Sequence, residues 1–141
     1  METVFALLSV ATLPWWLSML LFPRSPFTVR LVVTPWGVIG LGGVYVALLL
    51  GGLFAGGAPA SLEAAALADA LSGPWGFLTV WAHLLTLDLF AGTWVFRDAR
   101  YYGRVPRLEL LLTWWAGPAG LALYLWRRRH WRGPGGARVV N

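Results

Sequence analysis

Long apolar stretches separated by short polar breaks dominate the hydropathy pattern of this chain. Four of them approach the roughly 20 residues that a helix needs to cross a bilayer, at 3–22, 36–56, 75–96 and 108–126. Proline-containing turns such as Pro23-Arg24-Ser25-Pro26 separate them, because proline cannot donate the hydrogen bond that continues a helix. The pattern predicts an all-α integral membrane protein built as a bundle of four transmembrane helices.

Local irregularities modify this pattern in three places. Pro14 is expected to kink the first span, and Gly117-Pro118 is expected to bend the fourth. Between the second and third spans, the Ala-rich segment 61–71 carries two acids, so we predict a short interfacial helix that lies on the membrane.

The sequence METVFALLSV lacks a basic region and a convincing cleavage site, which favours a retained first span over a signal peptide.

Composition supports the membrane assignment. The chain is 58% hydrophobic and only 12% charged, whereas soluble domains carry about 25% charged residues. Its length of 141 residues predicts one membrane domain over 1–126, followed by a basic tail over 127–141 that contains Gly and Pro. The absence of cysteine excludes disulfides, thiolate metal sites and cysteine nucleophiles.

Every basic side chain is an arginine, and the net charge is +5. Because the arginines lie beside apolar spans, we expect anionic lipid headgroups as partners, and not nucleic acid. If all four spans cross, six arginines lie in the loops after the first and third spans and five lie in the tail. This near tie only weakly favours an orientation with both termini outside.

The third span contains two ionisable side chains, His83 and Asp88. Such groups are costly at membrane depth and usually functional. The alternatives are that Asp88 only accepts hydrogen bonds that fix the packing, and that His83 only donates one between helices. On a helix the two lie roughly 140° apart around the axis, so both can face the bundle interior. Gly92, one turn after Asp88, leaves a notch for a flat apolar ligand or a neighbouring helix.

A charged cluster closes the third span. Arg97, Asp98 and Arg100 follow its last apolar residues, and Glu109 near the start of the fourth span is the expected partner of an arginine in this loop. The arginines can bind carboxylates or lipid phosphates. The alternative is an interfacial ion cluster with snorkelling arginines.

No phosphate-binding loop, G-x-S-x-G or H-E-x-x-H motif is present, and we predict neither a metal site nor a cofactor. The spacing of several other residues is more informative. The segments Trp81-Ala82-His83, Asp88-Leu89-Phe90, Phe96-x-Asp98 and Pro118-x-Gly120 resemble the neoxanthin-synthase-like family of abscisic-acid-deficient type. This family comprises small four-span membrane proteins of plant plastids with bacterial relatives, and the likeness is best over 75–125.

The resemblance implies carotenoid chemistry. In plants the family is required to form neoxanthin from violaxanthin, which opens an epoxide and leaves an allene with no net oxidation. Such a reaction needs an acid for the epoxide oxygen and a base for a proton on the neighbouring polyene carbon. The resemblance makes Asp88 and His83 the first catalytic candidates and Asp98 the third. The candidate substrate-binding residues are Trp81, Phe90, Gly92, Trp94, Arg97, Arg100 and Glu109.

Three functions remain open at this point. The first is a cofactor-independent isomerase acting on a carotenoid or another isoprenoid lipid. The second is a non-catalytic membrane protein that binds a carotenoid or supports a partner enzyme. The third is a small transport subunit with a proton relay through His83 and Asp88, which would have to form a homo-oligomer. The sequence is bacterial in style, so we expect a bacterial member of the family that lies in the inner membrane.

Overall fold

The computed structural model describes residues 1–56 and 59–131, and all regular structure in these ranges is α-helical. The seven helices are α1 (Glu2–Ala11), α2 (Leu13–Leu21), α3 (Pro26–Val33), α4 (Trp36–Phe54), α5 (Ala64–Ser72), α6 (Pro74–Tyr101) and α7 (Arg107–Arg128). By residue number and composition alone, four helical segments are long and apolar enough to cross a membrane: Glu2–Leu21, Trp36–Phe54, Pro74–Tyr101 and Arg107–Arg128. The predicted all-α membrane fold is confirmed.

The first segment consists of α1 and α2, which meet at Thr12. Pro14 lies in the first turn of α2, where its missing N–H leaves no helical hydrogen bond unmade, so the irregularity predicted at Pro14 lies at this junction. The sequence analysis did not predict α3. Its start is fixed by Ser25, whose hydroxyl accepts a hydrogen bond from the Phe27 N–H at 3.2 Å.

Helices α4 and α6 pack antiparallel through small residues. A Cβ atom on Gly52 would lie 3.3 Å from the Trp75 side chain, and one on Gly42 would lie 4.0 Å from Thr86. Glycine lets helix backbones approach closely where bulkier residues would hold them apart. The order of these contacts runs in opposite directions along the two helices, which defines their antiparallel arrangement.

Helix α6 extends five residues beyond the predicted end at Phe96. It ends in a Schellman motif, in which the Arg104 N–H donates to Ala99 O and the Gly103 N–H donates to Arg100 O, each at 2.9 Å. Gly103 has φ +67°, a conformation that favours glycine. The short helix α5 lies between the second and third segments as predicted, but begins later, at Ala64.

Helix α7 reverses direction near its middle. Ala116 and Gly117 leave helical geometry, which confirms an irregularity at the predicted Gly117-Pro118 position. The Glu109 and Arg127 side chains approach to 2.6 Å, although a straight helix would separate these residues by about 27 Å. The 107–115 and 118–128 halves therefore pack antiparallel, as a hairpin. The predicted tail begins within α7, and its residues 132–141 lie outside the described residues.

Helices α1 and α2 run in the same direction as α6. The Trp81 indole N–H donates to Ser9 Oγ at 3.0 Å near the start, and Arg100 Nη1 donates to Pro23 O at 3.1 Å near the end. One end of the bundle therefore holds the start of α1 and the start of α6. The opposite end holds the loop after α2 and the end of α6.

Candidate functional site

A cavity of about 590 Å³ lies beside the reversal of α7. Its walls come from the α1–α2 junction, the middle of α6 and the reversal itself. The lining residues are Ser9, Val10, Thr12, Leu13, Trp81, Leu84, Leu85, Asp88, Trp114, Trp115, Ala116, Gly117 and Pro118. Asp88 is the only ionisable residue among them, so the cavity is an apolar space with one carboxyl group.

Asp88 fits against the backbone of the reversal. A Cβ atom on Gly117 would overlap Asp88 Oδ1, so only glycine leaves room for the carboxyl group at this point. The group lies beside the start of the 118–128 half-helix. Within the described residues, no side-chain hydrogen bond or salt bridge involves Asp88, whereas Asp98 and Glu109 are both paired with arginines. The Asp88 carboxyl group is therefore available to a ligand in the cavity.

Trp81 forms a fixed part of the cavity wall. Its indole N–H donates to Ser9 Oγ, and its ring centroid lies 4.9 Å from that of Phe5 and 6.4 Å from that of Phe77. These contacts hold the ring in one orientation. The structure thus brings Trp81 and Asp88, two of the predicted site residues, to the same cavity.

The notch at Gly92 is filled by a neighbouring helix. A Cβ atom on Gly92 would overlap the Trp16 ring, which lies 2.6 Å from it at Cζ3. Trp16 in turn stacks on Trp114, with ring centroids 6.1 Å apart and an interplanar angle of 17°. Because Trp114 lines the cavity, Gly92 and Trp16 support its wall from behind.

We expect Gly92→Ala to lower the thermal unfolding midpoint of the detergent-solubilised protein. The added methyl group displaces Trp16, and overpacking of this kind costs about 1–3 kcal/mol. Gly43→Ala is the matched control, because nothing lies within 4 Å of a Cβ atom there. Trp16→Phe in the Gly92→Ala background should restore part of the loss. Equal midpoints for the Gly92 and Gly43 variants would contradict this account.

His83 lies on a different side of α6 from the cavity. Its ring is 5.4 Å from that of Tyr45 on α4, and it is not among the lining residues. The structure therefore does not bring His83 and Asp88 into one cavity. Their catalytic roles stay predictions.

Three further candidates share another groove. Phe90, Trp94 and Arg97 line a space of about 180 Å³ together with Trp15 and residues 32–35, 38, 39 and 93. The Trp94 ring also packs nearly perpendicular to that of Tyr124, with ring centroids 5.7 Å apart. These residues do not line the Asp88 cavity, and their predicted role in substrate binding stays a prediction.

Asp98 is held by two side chains from the second half of α7. Arg128 donates from Nε to Oδ2 at 2.6 Å and from Nη2 to Oδ1 at 3.1 Å, which is a bidentate pair. The Tyr124 hydroxyl donates to the same carboxylate. Trp131 packs against Tyr124, and the Arg128 guanidinium lies over Tyr102. This arrangement fastens the 118–128 half-helix to α6.

Glu109 pairs with Arg127, so the predicted pairing with an arginine of the preceding loop is wrong. The side chain of Glu109 is only 3% exposed, and its Oε1 lies 2.6 Å from Arg127 Nη1. Because α7 reverses, Arg127 lies closer to Glu109 than the arginines of the preceding loop do. Arg100 instead donates to Pro23 O and lies over Phe96, and its predicted role in substrate binding stays a prediction.

Sequence reasoning missed most of the cavity wall. Ser9, Thr12 and Trp114 come from spans for which no function was predicted. The available signal was the pair Gly117-Pro118 within an apolar run, preceded by two tryptophans. In the described residues, no group of three or more His, Asp or Glu side chains could hold a metal ion.

The family model described as ABA DEFICIENT 4-like matches residues 3–124. The matched range includes the Asp88 cavity and most of the α7 hairpin. No curated protein and no solved structure matches the chain.

Proposed function

Because the chain belongs to the ABA DEFICIENT 4-like family, which is linked to carotenoid-related membrane function, we propose that it acts on a carotenoid-like isoprenoid in the membrane. The observation that carries this proposal is the Asp88 carboxyl group, which has no side-chain partner in the described residues and lines an apolar cavity. Ionisable side chains at membrane depth are usually functional. We also propose a bacterial inner membrane as the location, because the sequence is bacterial in style.

The cavity suits one end group of a long apolar molecule. Ligand sites are typically apolar clefts of about 300–1,000 Å³ with a few polar groups that orient the ligand. Trp115 is 88% exposed and Leu84 is 46% exposed at the edge of this cavity, so the remaining chain of the ligand can continue past them into the lipid. The ring and oxygen function would then lie near Asp88.

The carboxyl group of Asp88 has the two oxygens that an epoxide-to-allene isomerisation needs. Its O–H donates a proton to the epoxide oxygen as the C–O bond breaks. Its second oxygen accepts a proton from the neighbouring polyene carbon, and the electrons of that C–H bond form the new double bond. The carboxyl group is regenerated, and no oxidant or reductant is consumed. Asp88 rather than His83 is the proposed base because His83 lies against Tyr45 on another side of α6.

The test is expression of the full chain in cells that accumulate an epoxide carotenoid such as violaxanthin. We expect a new product of unchanged mass in pigment extracts, and Asp88→Asn should reduce it by at least about 10²-fold because it removes the proton-transfer group. Asp69→Asn on the exposed helix α5 is the matched control and should leave product formation unchanged. Protein levels are compared by immunoblot.

Two outcomes would favour other functions. If the carotenoid co-purifies unchanged with both the native chain and Asp88→Asn, the protein is a non-catalytic binder. If neither product nor bound pigment is found, the carotenoid proposal is wrong for this member, and proton flux through His83 and Asp88 becomes the next measurement. If the Asp88→Asn variant still forms the product, the proposed catalytic role of Asp88 is wrong, but the carotenoid proposal is not.

A further inference from the structure

Helix α7 returns to the end of the bundle from which it starts. The salt bridge between Glu109 and Arg127 closes the open end of the hairpin. Its tip, at Gly117, reaches Asp88 in the middle of α6 and not Pro74 at the start of that helix. The 107–115 half therefore extends along about half of α6, and the 118–128 half comes back.

This geometry gathers the arginines at one end of the bundle. Arg100 bonds to Pro23, Arg107 Nε donates to Leu20 O at 3.2 Å, and the Arg104 guanidinium lies 5.0 Å from the centre of a Trp131 ring. We call this the arginine end. The arginines of the described residues that belong to it are Arg24, Arg30, Arg97, Arg100, Arg104, Arg107, Arg127, Arg128 and Arg129.

The opposite end has the reverse charge. Residues 1–23 and 31–96 contain no arginine, and the chain contains no lysine. This end carries Glu2 at the start of α1, and Glu63 and Asp69 on or beside α5. The two carboxylates near the arginine end, Asp98 and Glu109, are already paired with Arg128 and Arg127. Charge is therefore strongly separated along the bundle axis.

We propose that residues 107–128 form a re-entrant hairpin that enters and leaves the bilayer on one side, and that the arginine end binds the anionic headgroups of the cytoplasmic leaflet. Cytoplasmic segments are enriched in arginine, and the anionic cytoplasmic surface attracts basic side chains. Arg24 and Arg97 are exposed and have no carboxylate partner in the described part of the chain. The proposal does not depend on the carotenoid chemistry.

A re-entrant hairpin changes the predicted topology. Four complete crossings would place both termini on the same side and divide the arginines almost equally between the two sides. With three crossings and a hairpin, the N-terminus lies on the side opposite to His130. The arginines are then no longer divided almost equally between the two sides, because the tail begins at the arginine end, on the same side as the loops after the first and third spans.

Single cysteines test this topology directly, because the native chain has none. We would introduce Ser61→Cys, Val105→Cys and His130→Cys separately and label intact cells with a membrane-impermeant maleimide. Ser61→Cys should be labelled from outside, whereas Val105→Cys and His130→Cys should react only after permeabilisation. Ser25→Cys is a second reporter of the arginine end in case Val105→Cys does not accumulate.

The decisive comparison is between the residues on either side of α7. Labelling of Val105→Cys and His130→Cys from opposite sides would overturn the hairpin, because it requires a complete crossing. Labelling of both from outside would overturn the cytoplasmic assignment.

Lipid binding needs a separate measurement on the full chain. We would reconstitute it in vesicles of equal parts phosphatidylcholine and phosphatidylglycerol, and compare the immobilised fractions of the two spin-labelled lipids by electron paramagnetic resonance. We expect at least about a twofold preference for phosphatidylglycerol, which high salt should weaken. Arg24→Gln with Arg97→Gln should reduce the preference, whereas Arg24→Lys with Arg97→Lys should retain it. No preference in the native chain, or an unchanged preference after both glutamine substitutions, would overturn headgroup binding.

Discussion

Replacing Gly120 by alanine will strongly destabilise the protein. Gly120 is buried where the two halves of α7 pack, and a Cβ atom there would overlap the backbone N and the Oγ1 of Thr113 and lie 2.6 Å from Glu109 O. Two of these three atoms belong to the backbone, so rotation of a side chain cannot make room. We expect a loss of about 3 kcal/mol or more, at the upper end of overpacking effects. The measurement is the thermal unfolding midpoint in detergent.

Gly40→Ala on α4 is the matched control for Gly120→Ala. It makes the same chemical change within a helix, but nothing lies within 4 Å of a Cβ atom at Gly40. Because alanine favours helix over glycine by about 1 kcal/mol, this variant should be unchanged or slightly more stable. If Gly120→Ala behaves like Gly40→Ala, the two halves of α7 do not pack closely, and the hairpin described above is wrong.

Asp98→Asn will also destabilise the protein substantially. The substitution removes the charge that Arg128 meets with two hydrogen bonds, and weakens the bond from Tyr124. Loss of one partner from a buried ion pair costs about 3–5 kcal/mol. The side chains of Asp98 and Arg128 are 17% and 18% exposed, so solvent lowers our expectation to about 2 kcal/mol. Thermal unfolding in detergent measures the loss.

A double-mutant cycle separates this ion pair from other effects of the substitution. Arg128→Gln alone should also destabilise the protein, and Asp98→Asn combined with Arg128→Gln should cost less than the sum of the single changes. Product formation per folded molecule should remain in Asp98→Asn, in contrast to Asp88→Asn. Strictly additive losses would contradict a direct pair. A folded Asp98→Asn protein without activity would instead support the catalytic role that the family resemblance implies for Asp98.

The contrast between three acids explains how far the sequence could predict the site. Asp88, Asp98 and Glu109 all lie within or beside apolar spans. Because burying a charge is costly, the sequence makes each of the three an equally good candidate for a functional residue. Only the folded chain distinguishes them, because it places Arg128 beside Asp98 and Arg127 beside Glu109 and leaves Asp88 without a side-chain partner in the described residues. Residues 18 and 30 positions apart form these pairs, and no local pattern encodes such distances.

Helical periodicity was sufficient to predict that His83 and Asp88 lie on different faces of α6. It was not sufficient to predict which helix packs against each face. The roughly 140° between His83 and Asp88 follows from their spacing, and the two side chains do point to different surroundings. Which helix lies opposite each face depends on packing. Tyr45 of α4 contacts His83, whereas the α1–α2 junction and the α7 reversal surround Asp88.

The sequence by itself determined the membrane class, the four long helical segments and the position of the break in the last of them. These properties depend on local chemistry, namely the transfer of apolar side chains out of water and the backbone limits of proline and glycine. The tertiary structure alone decided that the break at Ala116 and Gly117 is a reversal. A break permits many directions, and the close fit of Gly120 on Thr113 and the pairs of Asp98 and Glu109 with arginines select one of them.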